Sequence, residues 1–177
     1  MRKILVFAGS NSSISINYKL VKYTVSLIKD HETRLLNMVN YPFPLYSEDI
    51  EKRSGFSNSL VEFKNDIQQS DALIISVNEH NGNVSAYFKN LLDWLSRLER
   101  SFLVEKKILL MATSPGERGG IAALSIAEKL LSRFGAEIVT TFSLPSFGKN
   151  FNVNDGIVSE AHREAHQQQL DTFLAAL

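Results

Sequence analysis

No cysteine occurs among the 177 residues, which excludes disulfides, thiolate metal ligands and cysteine nucleophiles together. Excess charge is missing too: 19 Lys+Arg balance 19 Asp+Glu, whereas a nucleic-acid binder is expected to carry a basic surplus or patch. No apolar run approaches the roughly 18 residues of a membrane span, and the apolar run after Arg2 and Lys3 is too short and passes too directly into serines to read as a signal peptide. Repeats, low-complexity tracts and linkers are also lacking. With 44% hydrophobic and 21% charged residues, the chain reads as one folded domain over residues 1–177, cytoplasmic and not attached to a membrane.

Two phosphate-binding fingerprints are absent as well. The dinucleotide pattern G-x-G-x-x-G is not met, since only Gly9 stands in the opening loop, and the P-loop pattern fails for want of its second Gly and its Lys. What is present is Lys3 to Asn17, KILVFAGSNSSISIN: an apolar strand running into Gly9, then Ser10, Ser12, Ser13 and Ser15, then Asn17 opening an amphipathic segment. So short and continuous an apolar run reads as a strand buried on both faces of a parallel sheet. The loop behind it leads to a helix N-terminus, where unpaired N–H groups and the macrodipole stabilise an anion. No Lys or Arg lies between Lys3 and Lys19, so a phosphate here is held by neutral donors. A flavin mononucleotide at the first switch point of a flavodoxin-like sheet fits that chemistry. The plainer alternative is a Ser-rich loop capping a helix.

Further along, helical spacing runs from Tyr18 to Ile28, and Thr33 to Val39 reads as a weak second strand. Asn40 to Tyr46, with two prolines and three aromatics, predicts an extended loop, either beside a ligand or interface or simply packed. A helix from about Asn58 to Ser70 precedes the buried strand Ala72 to Val77, whose carboxyl end delivers the polar run Asn78 to Asn83. Ser85 to Leu98 carries an apolar stripe so broad that burial against a second subunit, or a wide core contact, is expected. Lys107 to Thr113 is another buried strand, feeding the turn-rich Ser114 to Gly120. Ile121 to Phe134 is a helix closed by Gly135, Glu137 to Leu144 is the last strand, Asp155-Gly156 marks a turn, and a closing helix begins near Ser159. Strictly alternating strands and helices give an α/β fold, a three-layer doubly wound five-stranded parallel sheet of order 2-1-3-4-5. All three turn-rich loops then meet at one sheet edge, offering backbone amides and glycines to a flat ring.

Asn78-Glu-His-Asn-Gly-Asn-Val-Ser-Ala-Tyr-Phe-Lys-Asn-Leu-Leu-Asp-Trp94 resembles the P-E-Y-N-x-S-x-P-x-x-L-K-N-x-x-D-W block of the NAD(P)H-dependent FMN reductase family, which is flavodoxin-like and includes quinone, azo and chromate reductases. Gly9 to Asn17 is similar to that family's G-S-x-R-x-x-S-x-N phosphate loop, and Ser114 to Gly120 to its S-x-G-x-x-G-G loop. The resemblance implies an FMN cofactor, NADPH or NADH as donor, and a small acceptor such as a quinone, azo compound, free flavin or metal oxyanion. It implies FMN contacts from Gly9, Ser10, Ser12, Ser15 and Asn17, from Asn78, Glu79, His80, Asn81 and Gly82, and from Ser114, Pro115, Gly116 and Gly119. Lys89, Asn90, Asp93 and Trp94 match too, with a role in fixing the loop and a dimer contact. A homodimer or dimer of dimers is implied. No catalytic acid, base or nucleophile and no metal is nominated. The sequence departs from the family pattern in having Ser12 in place of Arg, His80 for Tyr, and Asn78 and Ser85 for Pro. An electron-carrying flavodoxin and a flavin-free relative with a binding role are the alternatives.

Overall fold

The computed structural model describes all of residues 1–177. Five strands, β1 (Lys3–Ala8), β2 (Glu32–Leu36), β3 (Ala72–Val77), β4 (Lys107–Thr113) and β5 (Glu137–Leu144), form one parallel sheet of order β2-β1-β3-β4-β5. The expected architecture and strand order are therefore observed. The reason lies in β1, β3 and β4, whose apolar runs leave no polar face for solvent: β3 is buried at all six positions. Each strand must be covered twice. Ile4, Val6, Ile74 and Leu109 enter one apolar cluster, while Leu5, Phe7, Leu73 and Leu110 enter the other.

Five helices cover the sheet and a sixth lies outside them. The helices α1 (Ile16–Leu27) and α6 (Glu160–Ala175) pack on one face through Leu20, Val21, Leu170 and Phe173. The other face carries α3 (Asn58–Gln69), α4 (Ala86–Leu98) and α5 (Ile121–Arg133), with the short α2 (Glu48–Ser54) outside α4. No helix is long and apolar enough to cross a membrane.

Three local readings change. The second strand stops at Leu36, because Asn37 Oδ1 accepts the Val39 N–H at 3.2 Å and turns Met38–Asn40 into a single 3-10 turn. The α2 helix carries the signals of its own ends, with Ser47 as N-cap, acidic residues in the first turn and Gly55 at φ +65° after the last. It buries no residue, so hydrophobic periodicity could not reveal it. Beyond Pro145, one helical turn (Phe147–Asn150) and a ribbon of Phe151–Asn152 with Gly156–Ile157 are added around the expected turn at Asp155-Gly156.

The broad stripe of α4 is buried within the chain itself. Phe88, Leu91 and Leu95 join the core under the sheet, while Trp94 is covered by the Asn40–Tyr46 loop. There the Pro44 carbonyl accepts from Trp94 Nε1 (2.8 Å) and Asn90 Nδ2 (3.0 Å), and Asn90 Oδ1 accepts from the Tyr46 N–H (2.8 Å). Tyr46 meets Trp94 edge-on at 5.1 Å, and Glu51 of α2 pairs with Arg97. The prolines and aromatics of this loop thus serve packing on α3 and α4. Asn90 and Trp94 hold this Asn40–Tyr46 loop rather than the Asn78–Asn83 loop, and Lys89 pairs with Asp93 one turn on.

Candidate functional site

The carboxyl ends of β1, β3 and β4 lie side by side, so Gly9–Ser15, Asn78–Asn83 and Ser114–Gly120 gather at one edge of the sheet. They are bound to one another by named contacts. The Gly9 N–H donates to the Ser76 carbonyl at 2.8 Å, and Ser85 Oγ, the N-cap of α4, donates to the Gly9 carbonyl at 3.0 Å. A side chain on Gly9 would strike Phe88, with its Cβ 2.6 Å from the ring, so only glycine lets the first loop pass over α4.

In the first loop, Ser10 Oγ accepts the Ser12 N–H at 3.3 Å, Ser12 Oγ the Ile14 N–H at 3.3 Å, and Ser15 Oγ the Tyr18 N–H at 3.1 Å. Each hydroxyl is positioned through a lone pair, and its proton is left to donate elsewhere. The amides of Ile16 and Asn17, in the first turn of α1, also lack an acceptor within the chain. Five neutral donors, three hydroxyls and two amides, thus converge at a helix start without a cation among them. Substituting Ser10 and Ser15 together by Ala should raise the FMN dissociation constant by about ten- to a hundredfold, for two hydrogen bonds to an anion. FMN fluorescence quenching by the still-folded variant reads this; an unchanged constant would remove the serines from the phosphate site.

Asn17 behaves differently from the serines. Its side chain is 1% exposed, Nδ2 donates to the Thr113 carbonyl at 3.1 Å, and Oδ1 accepts from Ser76 Oγ at 2.7 Å and from the Thr113 N–H at 3.0 Å. Thr113 Oγ1 passes the chain on to the Leu144 carbonyl at 2.7 Å. Asn17 therefore ties α1 to the ends of β3 and β4, and through Thr113 to β5. What it presents to a ligand is its backbone N–H.

The second loop is a two-residue hairpin, Glu79–His80 against Asn83–Val84, with Asn81 at φ +52° and Gly82 at φ +70°. Asn-Gly with both φ positive is the type I′ turn, and the Asn-Gly pair was its signal in the sequence. Glu79 leaves this hairpin sideways: its Oε2 accepts the N–H groups of Ala122 (3.0 Å) and Ala123 (3.2 Å) in α5. His80 and Asn81 face a hollow of about 530 Å3 shared with Lys89, Ile126 and Leu130, to which no residue of the serine loop contributes.

In the third loop, the Gly116 carbonyl accepts from Gly119 (3.2 Å) and Ser146 (2.8 Å), and the Ser114 carbonyl accepts from Phe147 (3.0 Å). Gly119, at φ +60°, sits where a Cβ would fall 2.4 Å from Ser143 Oγ, so packing demands that glycine. Gly116 has neither a positive φ nor a close neighbour, and Pro115 beside it is exposed. Nothing inside the chain requires a glycine at 116, which suits main chain approached by a ligand. Asn78 Oδ1, at the head of the second loop, is buried without a hydrogen-bond partner, a costly state in a finished interior. Donors for a phosphate, an open glycine and an orphaned acceptor on one edge fit a flavin nucleotide.

Fold and site together define a flavodoxin-like nucleotide-binding protein of the kind that holds its ligand at the switch point of the sheet. The sequence profile of the NADPH-dependent FMN reductases matches residues 2–149, and the chain belongs to that family. Its cofactor is FMN and its electron donor a nicotinamide nucleotide. The NAD(P)H-dependent FMN reductase of Pseudomonas aeruginosa is 25% identical over 173 residues, covering 97% of this chain and 92% of the relative. The quinone reductase of Escherichia coli K12 is 36% identical over 77 residues, 44% of this chain and 41% of that one. Among solved structures, FerB, the flavoenzyme NAD(P)H:(acceptor) oxidoreductase of Paracoccus denitrificans, superposes with a TM-score of 0.80 at 24% identity, over 99% of this chain and 96% of FerB.

Proposed function

We propose that this NAD(P)H-dependent FMN oxidoreductase delivers its reducing equivalents to a small quinone-like acceptor, with azo compounds, free flavin or a metal oxyanion as further candidates. The observation that carries the site is the set of unspent donors at the start of α1, the hydroxyls of Ser10, Ser12 and Ser15 with the Ile16 and Asn17 amides. The quinone class is supported by the name of the Escherichia coli relative. Bound FMN supplies the atom that takes hydride from nicotinamide and yields it to the acceptor. The chain's part is to bind and orient. The serine hydroxyls and α1 amides hold the phosphate, and Ser12 in place of a cation makes that grip dependent on hydrogen bonds alone. Asn78, His80, Asn81 and Gly82 on one loop and Ser114, Pro115, Gly116 and Gly119 on the other border the ring. Glu79 and Asn17 set the positions of those loops. The main-chain amides stabilise negative charge where the ring gathers it, so no side chain need act as acid or base.

A homodimer is part of this proposal, drawn from the family resemblance. The α4 stripe no longer supports it, being spent inside the chain, and one surface open to a partner is the hollow beside Ile126 and Leu130, with Ile121 exposed nearby. The cytoplasm is the proposed location, consistent with the absence of cysteine.

Anaerobic addition of NADPH, and separately NADH, to the FMN-loaded protein should bleach the visible flavin band in one step. Addition of a benzoquinone should then restore it. Flavin that binds and stays yellow with both nucleotides would instead indicate an electron carrier, and protein that refuses FMN would end this account.

A further inference from the structure

The first turn of α5 is a helix start with no means of its own to satisfy its amides. Its N-cap is Gly120, at φ +80°, which has no side chain to cap with, and no acidic residue stands in the turn. Every amide of that turn is nevertheless spent: Ile121 donates to the Arg118 carbonyl (3.1 Å), Leu124 to the Gly120 carbonyl (3.0 Å), and Ala122 and Ala123 to Glu79 Oε2 (3.0 and 3.2 Å). The carboxylate comes from 43 residues upstream and from a different loop. It does what a cap would do and brings a full negative charge to the positive end of the helix.

We propose that Glu79 is an internal anion, a positioning residue that acts through the N-terminus of α5 rather than on the ligand. It has two consequences. One carboxylate clamps the hairpin Glu79–Val84 to the helix that leaves the Ser114–Gly120 loop, so the two loops assigned to the ring move as a unit. The same carboxylate occupies the anion position that Ala122 and Ala123 would otherwise offer, and so keeps the phosphates of FMN and of the nicotinamide nucleotide from settling at α5. Both consequences for nucleotide binding rest on the FMN reading of the site; the bond between Glu79 and the start of α5 does not.

Chemical rescue tests the internal anion and the clamp it forms. Glu79→Ala should lower the melting temperature of the apoprotein and raise the FMN dissociation constant about tenfold, the effect of one lost cap transmitted to the loops. Sodium acetate should restore both quantities by re-entering the vacated space, while sodium chloride at equal ionic strength should not. Glu79→Gln keeps an acceptor oxygen without the charge, should fold where Glu79→Ala does not, and should fall between the two in FMN affinity. Wild-type affinity and melting temperature in both variants would overturn the proposal, as would acetate and chloride acting alike. Should wild type itself bind no FMN while acetate still stabilises Glu79→Ala, the FMN reading fails and the internal anion stands.

Discussion

Replacing Asn17 by Ala should destabilise the protein by about 3 kcal/mol, three buried hydrogen bonds at roughly 1 kcal/mol each. The cost is high because the partners stay behind. Ser76 Oγ and the Thr113 N–H lose their acceptor, and the Thr113 carbonyl loses its donor, at the buried ends of β3 and β4. A loss of that size corresponds to about 10 °C in melting temperature for a chain of this length. Urea unfolding followed by circular dichroism measures it, and a change below about 1 kcal/mol would show that water or a neighbour takes over these partners. FMN affinity supplies the second readout. With the Asn17 side chain committed to the sheet, the folded variant should lose less affinity than the Ser10 and Ser15 double substitution. A larger loss would mean that Asn17 turns towards the phosphate when the nucleotide binds.

Acid should weaken the fold through His166. The imidazole is 1% exposed on the inner side of α6, with Nε2 2.9 Å from Thr24 Oγ1 and Nδ1 without a partner. Thr24 already donates its hydroxyl proton to the Leu20 carbonyl at 3.0 Å, so Nε2 carries the hydrogen and Nδ1 is the bare lone pair. Protonating Nδ1 would bury a charge that nothing accepts, and burial pushes the His166 pKa down to about 4. In the unfolded chain it titrates near 6.5, so the unfolded state binds the proton first. This part of the stability is complete above about pH 6.5 and is lost as pH falls towards 4, amounting to roughly 3 kcal/mol. Carboxylates held low, such as Asp71 beside the Lys3 N–H, also release stability in acid, so the comparison must be internal. His166→Leu leaves Thr24 bonded to Leu20 and should unfold with a flatter dependence between pH 7 and 4 than wild type. Parallel curves for the two proteins would show that His166 stays neutral for another reason or escapes to solvent when charged.

Much of this molecule is written in the amino-acid order. Three nearly unbroken apolar runs, Ile4 to Ala8, Ala72 to Val77 and Ile108 to Ala112, can be satisfied only as strands covered on both faces. Helical periods between them then leave a parallel doubly wound sheet as the economical topology, and the observed order follows. The serine loop was legible for the same reason: hydroxyls and a glycine between a buried strand and a helix are a local signal, and local signals survive in one dimension. Ser15 proved to be the N-cap of α1, and Asn81-Gly82 the turn of a hairpin.

Contacts distant in sequence were decided only by the tertiary structure. Nothing local distinguishes Asn17 as a tie to Ser76 and Thr113 from Asn17 as a phosphate ligand, because both roles place an amide at the same helix start. Glu79 reads as a ring-side residue until α5 is seen to lack a cap of its own, and the apolar breadth of α4 reads as an interface until Pro44 and Tyr46 are laid across Trp94. Periodicity and turn chemistry report how a segment treats its own neighbours within a few residues. Which donor meets which acceptor across 43 or 96 positions is settled by the sheet that brings them together.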